Sequence, residues 1–295
     1  MESNSHPQEG SACSGRAERI LNAWEHFFGL TKYQSRFFFH DLAAHADDSP
    51  QKLLRTARIA FVKLKMLKSF RVGYCFYRAR HYDGSWPINE PKELLAPPRE
   101  KARAGRMNPA GIRYLYLAER PETALVEVRP SPGSDVVVAE FELTKELTIL
   151  DLAALDNVTD DQLGRGMPNG MKARDLVPFV KAFVSAISLP VIHDGREHID
   201  YVPSQVVCEY CAQAHMFFEP LVPGRKPFRF QRIHGIRYRS ALHGNGFNIV
   251  LFPGLPSDED GGFEDWVERT AEPLAFHSFA SWADVGRLIL AGSEQ

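Results

Sequence analysis

Pro121 constrains this chain more than any other residue. It divides residues 105–130, GRMNPAGIRYLYLAERPETALVEVRP, into a strand before it and a helix after it. A proline has a fixed φ and no N–H, so it suits the first position of a helix and neither a helix interior nor a central strand. Ahead of it, residues 112–118 read as a strand with Tyr114 and Tyr116 on one face. Behind it, Ala124, Leu125 and Val128 recur at helical spacing and form an apolar face. Glu127 lies at the edge of that face, about 60° round from Ala124, and Glu122 points roughly the other way. The Gly/Pro-rich loop in front supplies Arg106 and Asn108. A carboxylate at the margin of a core, near a tyrosine strand and an arginine loop, is a candidate catalytic group. On residue types alone, a surface glutamate beside a packed helix is the simpler reading.

The rest of the chain divides by period. Residues 1–15 are polar and Ser-rich, which predicts disorder. Residues 16–71 read as a small all-helical N-terminal unit. Ile20, Leu21, Trp24, Phe27 and Phe28 recur at spacings of three and four, and the pattern continues over 30–46 with Phe37, Phe38 and Phe39. Ser49-Pro50 is a cap and first residue for a helix over 51–70. Its basic side carries Lys52, Arg55, Arg58, Lys63, Lys65 and Lys68; a solvated face is the default reading, a nucleic-acid or acidic partner the alternative.

At Val72 the spacing changes to two. VGYCFYRAR reads as a strand with Tyr74, Phe76 and Arg78 on one side and Cys75, Tyr77 and Ala79 on the other. Residues 83–111 form a long Pro/Gly loop holding Arg99, Arg103 and Arg106, a candidate for gripping an anion. Residues 135–143 and 147–152 read as strands, 156–170 as a polar connection. A helix over 172–187 either kinks at Pro178 or starts near 176. YVPSQ (201–205) opens a helix to about 216. GIRYRS and FNIVLF are two strands joined through HGNG, whose glycines are expected to supply positive φ. The tail over 264–290 ends in a helix. Residues 72–295 follow as the larger unit, for which the expectation is an α+β fold.

Several classes are excluded. A chain of 295 residues fits one large domain, or one with a smaller helical partner. A formal charge of −2 argues against a nucleic-acid binder that relies on a strong positive field. Four cysteines do not make a disulfide framework in a chain this long. No basic-then-apolar start and no run of about 18 apolar residues is present, so the expectation is a cytoplasmic protein with no membrane association. There is no Walker A loop, no GxGxxG and no GxSxG elbow. Cys208 and Cys211 form a single CxxC on one helix face, which reads as buried small hydrophobes rather than a metal site. His193 and His198 read as turn histidines, and no metal is expected.

A scattered set remains: Arg78, Arg106, Tyr116, Glu127 and Ser240. Two arginines suit a pyrophosphate, a tyrosine offers a stacking face, and a glutamate can hold ribose hydroxyls and stabilise an oxocarbenium-like centre. Such a set suits a dinucleotide that loses a neutral nicotinamide, though residue types alone do not single it out. The order FYRAR, then the 105–130 stretch, then YVPSQ, GIRYRS and NIVLF resembles the RES domain over about 74–252. The resemblance implies a split mixed β-sheet with flanking helices around an NAD cleft, similar to diphtheria-toxin-type ADP-ribosyltransferases. It implies a bacterial toxin that depletes NAD by hydrolysis or phosphorolysis, with NAD as substrate, inorganic phosphate as an optional co-substrate and no cofactor. Its partner would be a helix-turn-helix antitoxin that blocks the cleft; a homodimer stays open.

By the same resemblance, the family arginine falls on Arg78, with Arg80 as a rival, and the second arginine on Arg106. The tyrosine falls on Tyr116, the glutamate on Glu127 and the serine on Ser240. Asn248 in NIVLF joins the substrate-binding set. Some family members are said to ADP-ribosylate a protein, so protein transfer is an alternative, and a non-catalytic NAD-binding module is another. The N-terminal helices and a long 155–200 insertion depart from the simple toxin pattern and put the antitoxin in doubt more than the chemistry.

Overall fold

Strand alternation sorts the side chains of this molecule onto two faces of one sheet, and the site forms where that sheet parts. The computed structural model describes residues 9–37, 49–87, 90–166, 170, 172–188, 195–213, 217–218, 228–229, 232–254, 263–269 and 274–276. The helical pattern expected over 38–46, His193 and the expected C-terminal helix beyond 276 lie outside them.

Helix α1 spans Glu9–Tyr33, so it begins inside the stretch whose composition suggested disorder. Helix α2 spans Pro50–Lys63, with Ser49 accepting a hydrogen bond from the Lys52 N–H and Pro50 in the first turn, as the sequence predicts. It stops well short of residue 70. Lys65 takes a φ of 54°. The Lys65 N–H donates to Val62 O at 3.0 Å and the Met66 N–H to Phe61 O at 2.8 Å, the paired bonds of a left-handed helix stop. Residues expected to extend the helix form strand β1 instead, Leu67–Phe70.

The chain continues through β2 (Cys75–Tyr82), β3 (Leu115–Ala118), α3 (Pro121–Glu127), β4 (Asp135–Leu143), β5 (Leu147–Asp151) and α4 (Asp160–Gly164). Helix α5 covers Val177–Ser188 after a 3-10 turn at Ala173–Leu176, so Pro178 sits at a helix start and makes no kink. Then come α6 (Glu197–Asp200), α7 (Val202–Gln213), the short pair β6 (Phe217–Phe218) and β7 (Phe228–Arg229), β8 (Gly235–Arg239), β9 (Phe247–Leu251), α8 (Phe263–Trp266), β10 (Val267–Arg269) and β11 (Leu274–Phe276). No helix among the described residues is long and apolar enough to cross a membrane.

The mixed sheet runs β1-β5-β8-β9-β3-β2-β4-β10, with β11 also on β4; among the described strands β5 and β8 pair in parallel and the other neighbours antiparallel. β2 pairs with β4 along its whole length, yet β2 and β3 share one pair, Tyr77 with Ala118. The sheet is therefore split there, in an α+β fold of the expected kind. On one face, Phe76, Leu115, Leu117, Ala139, Phe141, Ile249 and Leu251 pack under the loop residues Trp86, Leu94 and Ala96. On the other, Ala79, Ala118 and Val138 pack under α3, and Tyr114, Leu150, Ile236 and Val250 pack under helices. Those helices are α1, α2, α5 and α7: Trp24, Phe27, Phe61, Phe179, Phe183 and Cys208 belong to one continuous core with the strands. The N-terminal helices thus do not close a core of their own. Cys208 and Cys211 are buried in this core as free thiols.

Candidate active site

Continuing the antiparallel register past Tyr77–Ala118 would set Arg78 opposite Leu117 and Ala79 opposite Tyr116. The strands part there instead, and these residues line an open pocket of about 310 Å³ together with Glu127, Tyr238 and Asn248. That volume is at the small end of the ~300–1,000 Å³ usual for small-molecule sites.

Glu127 is the last residue of α3, exposed at the pocket mouth, and is pinned through one oxygen. Ser240 Oγ donates to Glu127 Oε1 at 2.7 Å, and Asn248 Nδ2 donates to the same oxygen at 2.6 Å. Oε2 has no hydrogen-bond partner among the described residues. Ser240 is itself held: its Oγ accepts the backbone N–H groups of Leu242 at 3.2 Å and His243 at 3.0 Å. Residues 240–246 link β8 to β9 and lean on α3, where Thr123 Oγ1 and His243 Nδ1 lie 2.7 Å apart. Gly246 is required by this contact. A Cβ there would meet Thr123 Oγ1 at 2.5 Å, and neither Gly244 nor Gly246 has the positive φ expected of them. His81 contacts the Val128 carbonyl at 2.8 Å and fastens the end of α3 to β2.

Arg78 supplies the opposite charge. Its Nη1 is buried and has no hydrogen-bond partner among the described residues. Burial, and secondarily the charge of Arg80, pull its pKa down to about 10. Arg78 therefore still carries its charge at neutral pH. The rival, Arg80, is committed elsewhere: it lies 4.6 Å over the Trp86 ring and pairs with Glu93 at 3.6 Å.

Tyr116 forms a wall of the pocket. Its hydroxyl donates to Asn108 Oδ1 at 2.8 Å and accepts the Met107 N–H at 3.3 Å. Gly105 permits this, since a Cβ there would fall 2.5 Å from Asn108 Oδ1. Burial raises the phenol pKa of Tyr116 well above the ordinary value. Burial also raises that of Tyr238, with the Glu127 charge next, and that of Tyr77, which donates to Glu140 at 2.6 Å. The pocket phenols are thus neutral hydrogen-bond donors.

Arg106 does not reach the pocket lining. Its guanidinium donates to the carbonyls of Ala186 at 3.3 Å and Ile187 at 2.9 Å in the last turn of α5, and it lies 5.6 Å from the Tyr201 ring. Its charge is still felt at Tyr116 and Tyr238, where it opposes the upward shifts. Arg99 and Arg103 are exposed on the preceding loop. Behind β8, Arg237 binds both oxygens of Glu119 at 2.7 and 3.0 Å and Asp151 at 3.0 Å, joining the ends of β3, β5 and β8.

The structure brings together Arg78, Tyr116, Glu127, Ser240 and Asn248, and sets Arg80 and Arg106 outside that group. Sequence reasoning did not assign Tyr77, Tyr238 or Thr123 a place, nor a task to Ser204 and Gln205 of YVPSQ. Alternation along β2 and β8 was the available signal for the two tyrosines. The pocket thus sits at the split of an α+β sheet, lined by an anchored carboxylate and by an arginine with one buried, unpartnered nitrogen among the described residues. A family model described as RES domain matches residues 76–263, more than half of the chain, and the chain belongs to that family. No curated protein and no solved structure matches it.

Proposed function

We propose that this chain cleaves the nicotinamide–ribose bond of NAD, with phosphate or water as acceptor, as the toxin of a toxin–antitoxin pair. One observation carries the reading: the pocket lined by Glu127 and Arg78 presents a carboxylate oxygen that has no hydrogen-bond partner among the described residues, and the buried Nη1 of Arg78 has none there either. A buried polar group left unpaired is costly, and a site that keeps one is prepared for a ligand.

As the glycosidic bond breaks, its electron pair passes to the pyridinium nitrogen, nicotinamide leaves neutral, and positive charge develops on the ribose carbon. Glu127 Oε2 is the anion available to hold ribose hydroxyls and balance that charge. Ser240 and Asn248 fix the carboxylate beforehand, so little reorganisation is needed during the reaction. Arg78 attracts the incoming phosphate, or the substrate's pyrophosphate, by charge-assisted hydrogen bonds. Phosphate attack forms a C–O bond and yields ADP-ribose 1″-phosphate. Water attack yields ADP-ribose and releases a proton. Tyr116 and Tyr238 offer flat faces to the nicotinamide or its ribose. The small, open pocket suits the nicotinamide–ribose half, with the remainder of the dinucleotide lying outside. A helix-turn-helix antitoxin in the cytoplasm would act by covering that open side.

The test is nicotinamide release from NAD by the pure chain, with and without inorganic phosphate. Release is expected, and faster with phosphate if phosphorolysis is the route. Label carried onto a protein, with little free ADP-ribose product, would overturn the assignment in favour of protein transfer.

A further inference from the structure

We infer that Ser204 and Gln205 are positioning residues for the arginine loop, and that the N-terminal helices are the base on which they stand; this rests on the reading of the pocket above. Residues 103–112 cross the molecule without a strand ladder, so their backbone carbonyls need other donors. Gln205 Nε2 donates to Gly105 O at 2.7 Å and to Asn108 O at 3.0 Å. Ser204 Oγ donates to Arg106 O at 2.6 Å. Both side chains are buried, Gln205 at 8% and Ser204 at 3% exposure. One amide therefore uses both of its hydrogens on a single loop.

The loop then closes on itself. The two hydrogens of Asn108 Nδ2 are shared among the carbonyls of Arg103, Pro109 and Ile112, while its Oδ1 accepts from the Tyr116 hydroxyl. A shift of Asn108 O away from Gln205 is thus a shift of the Tyr116 wall. The same loop sends the Arg106 guanidinium to the α5 carbonyls. Helices α5 and α7 accordingly hold the loop from two sides.

Both of those helices pack on α1. The Trp24 ring lies 5.4 Å from Phe179 and 6.0 Å from Phe183. From α2, Phe61 lies 6.1 Å from Phe183. Lys32 pairs with Asp200 at 2.7 Å, just ahead of α7. A route of direct contacts therefore runs from residues outside the RES match to the wall of the pocket.

The experiment uses the full chain with Gln205→Met, Arg106→Ala, their double variant, Trp24→Leu and the milder Lys32→Met. Amide exchange is read over 103–116 and over 240–248, alongside kcat and KM for NAD. Gln205→Met should speed exchange in the loop about tenfold or more while leaving the 240–248 hairpin unchanged. It should raise KM about tenfold with kcat within about threefold, and the double variant should be little worse than either single. Trp24→Leu, and more weakly Lys32→Met, should loosen the same loop. Uniform loosening of the whole sheet, unchanged loop exchange, or additive effects of Gln205→Met and Arg106→Ala would overturn the positioning role. Loosening confined to α1 and α5 would overturn the part assigned to the N-terminal helices. If the wild type released no nicotinamide, the reading of the pocket would fail, and the exchange pattern would still decide the positioning role.

Discussion

Arg78 carries a charge in a place that does not satisfy it. Its pKa falls from the ordinary arginine value to about 10, first through burial and then through Arg80. The unfolded chain therefore holds this proton more tightly than the folded one. The folded state bears that penalty at every pH below about 10, and it is relieved as pH rises from there towards the ordinary arginine pKa. Arg78→Met should accordingly stabilise the free protein, by about 1 kcal/mol, because an unpaired buried cation is removed. Millimolar phosphate should raise the Tm of the wild type, and this rise should be absent in Arg78→Met. Thermal unfolding with and without phosphate checks both signs. Ser240 and Asn248 converge on one oxygen of Glu127; that the three share a site was expected from the family resemblance alone, and the contact among them was not. Nor was the fate of Arg106 legible in the sequence. Its acceptors are the last carbonyls of a helix about 80 residues further on, and no local pattern reports such a contact.

Among the elements, α3 and the β8–β9 hairpin form the unit that aims the carboxylate, and their spacing is set by a missing side chain. A Cβ at Gly246 would come within 2.5 Å of Thr123 Oγ1, 2.7 Å of its Cγ2 and 2.9 Å of His243 Nδ1. Gly246→Ala should push the hairpin from α3, cost about 1–3 kcal/mol and lower kcat, since Ser240 and Asn248 flank the displaced turn. Chemical denaturation and nicotinamide release measure the two effects. The strand–Pro–helix order around Pro121 was readable because proline fixes it. β1 was missed for a physical reason: the helix before it stops at a lysine in the left-handed region, where a glycine would have signalled the end. The glycines of HGNG were given the wrong reason, close approach being invisible without the partner element.

At the scale of the whole molecule, the N-terminal helices complete the core that lies under the site. Trp24, Phe27, Leu54 and Phe61 are buried against the strands and α5, although the family match begins only at residue 76. A chain of residues 72–295 would expose Leu150, Phe179 and Phe183 to water, so it should fail to give a soluble, cooperatively unfolding protein, as judged by circular dichroism and gel filtration. The periodicity of these helices was clear from the sequence, but which partner their apolar faces would meet depends on strands far along the chain. The central claim, that Glu127 acts on NAD in the split of the sheet, is tested most directly by nicotinamide release in wild type and Glu127→Gln. The substitution keeps an oxygen for Ser240 and Asn248 to address, so stability should change by no more than about 0.5 kcal/mol. Release should fall by roughly 10²–10³. Equal release by the two folded proteins, or none from the wild type at high concentration with phosphate present, would contradict the account.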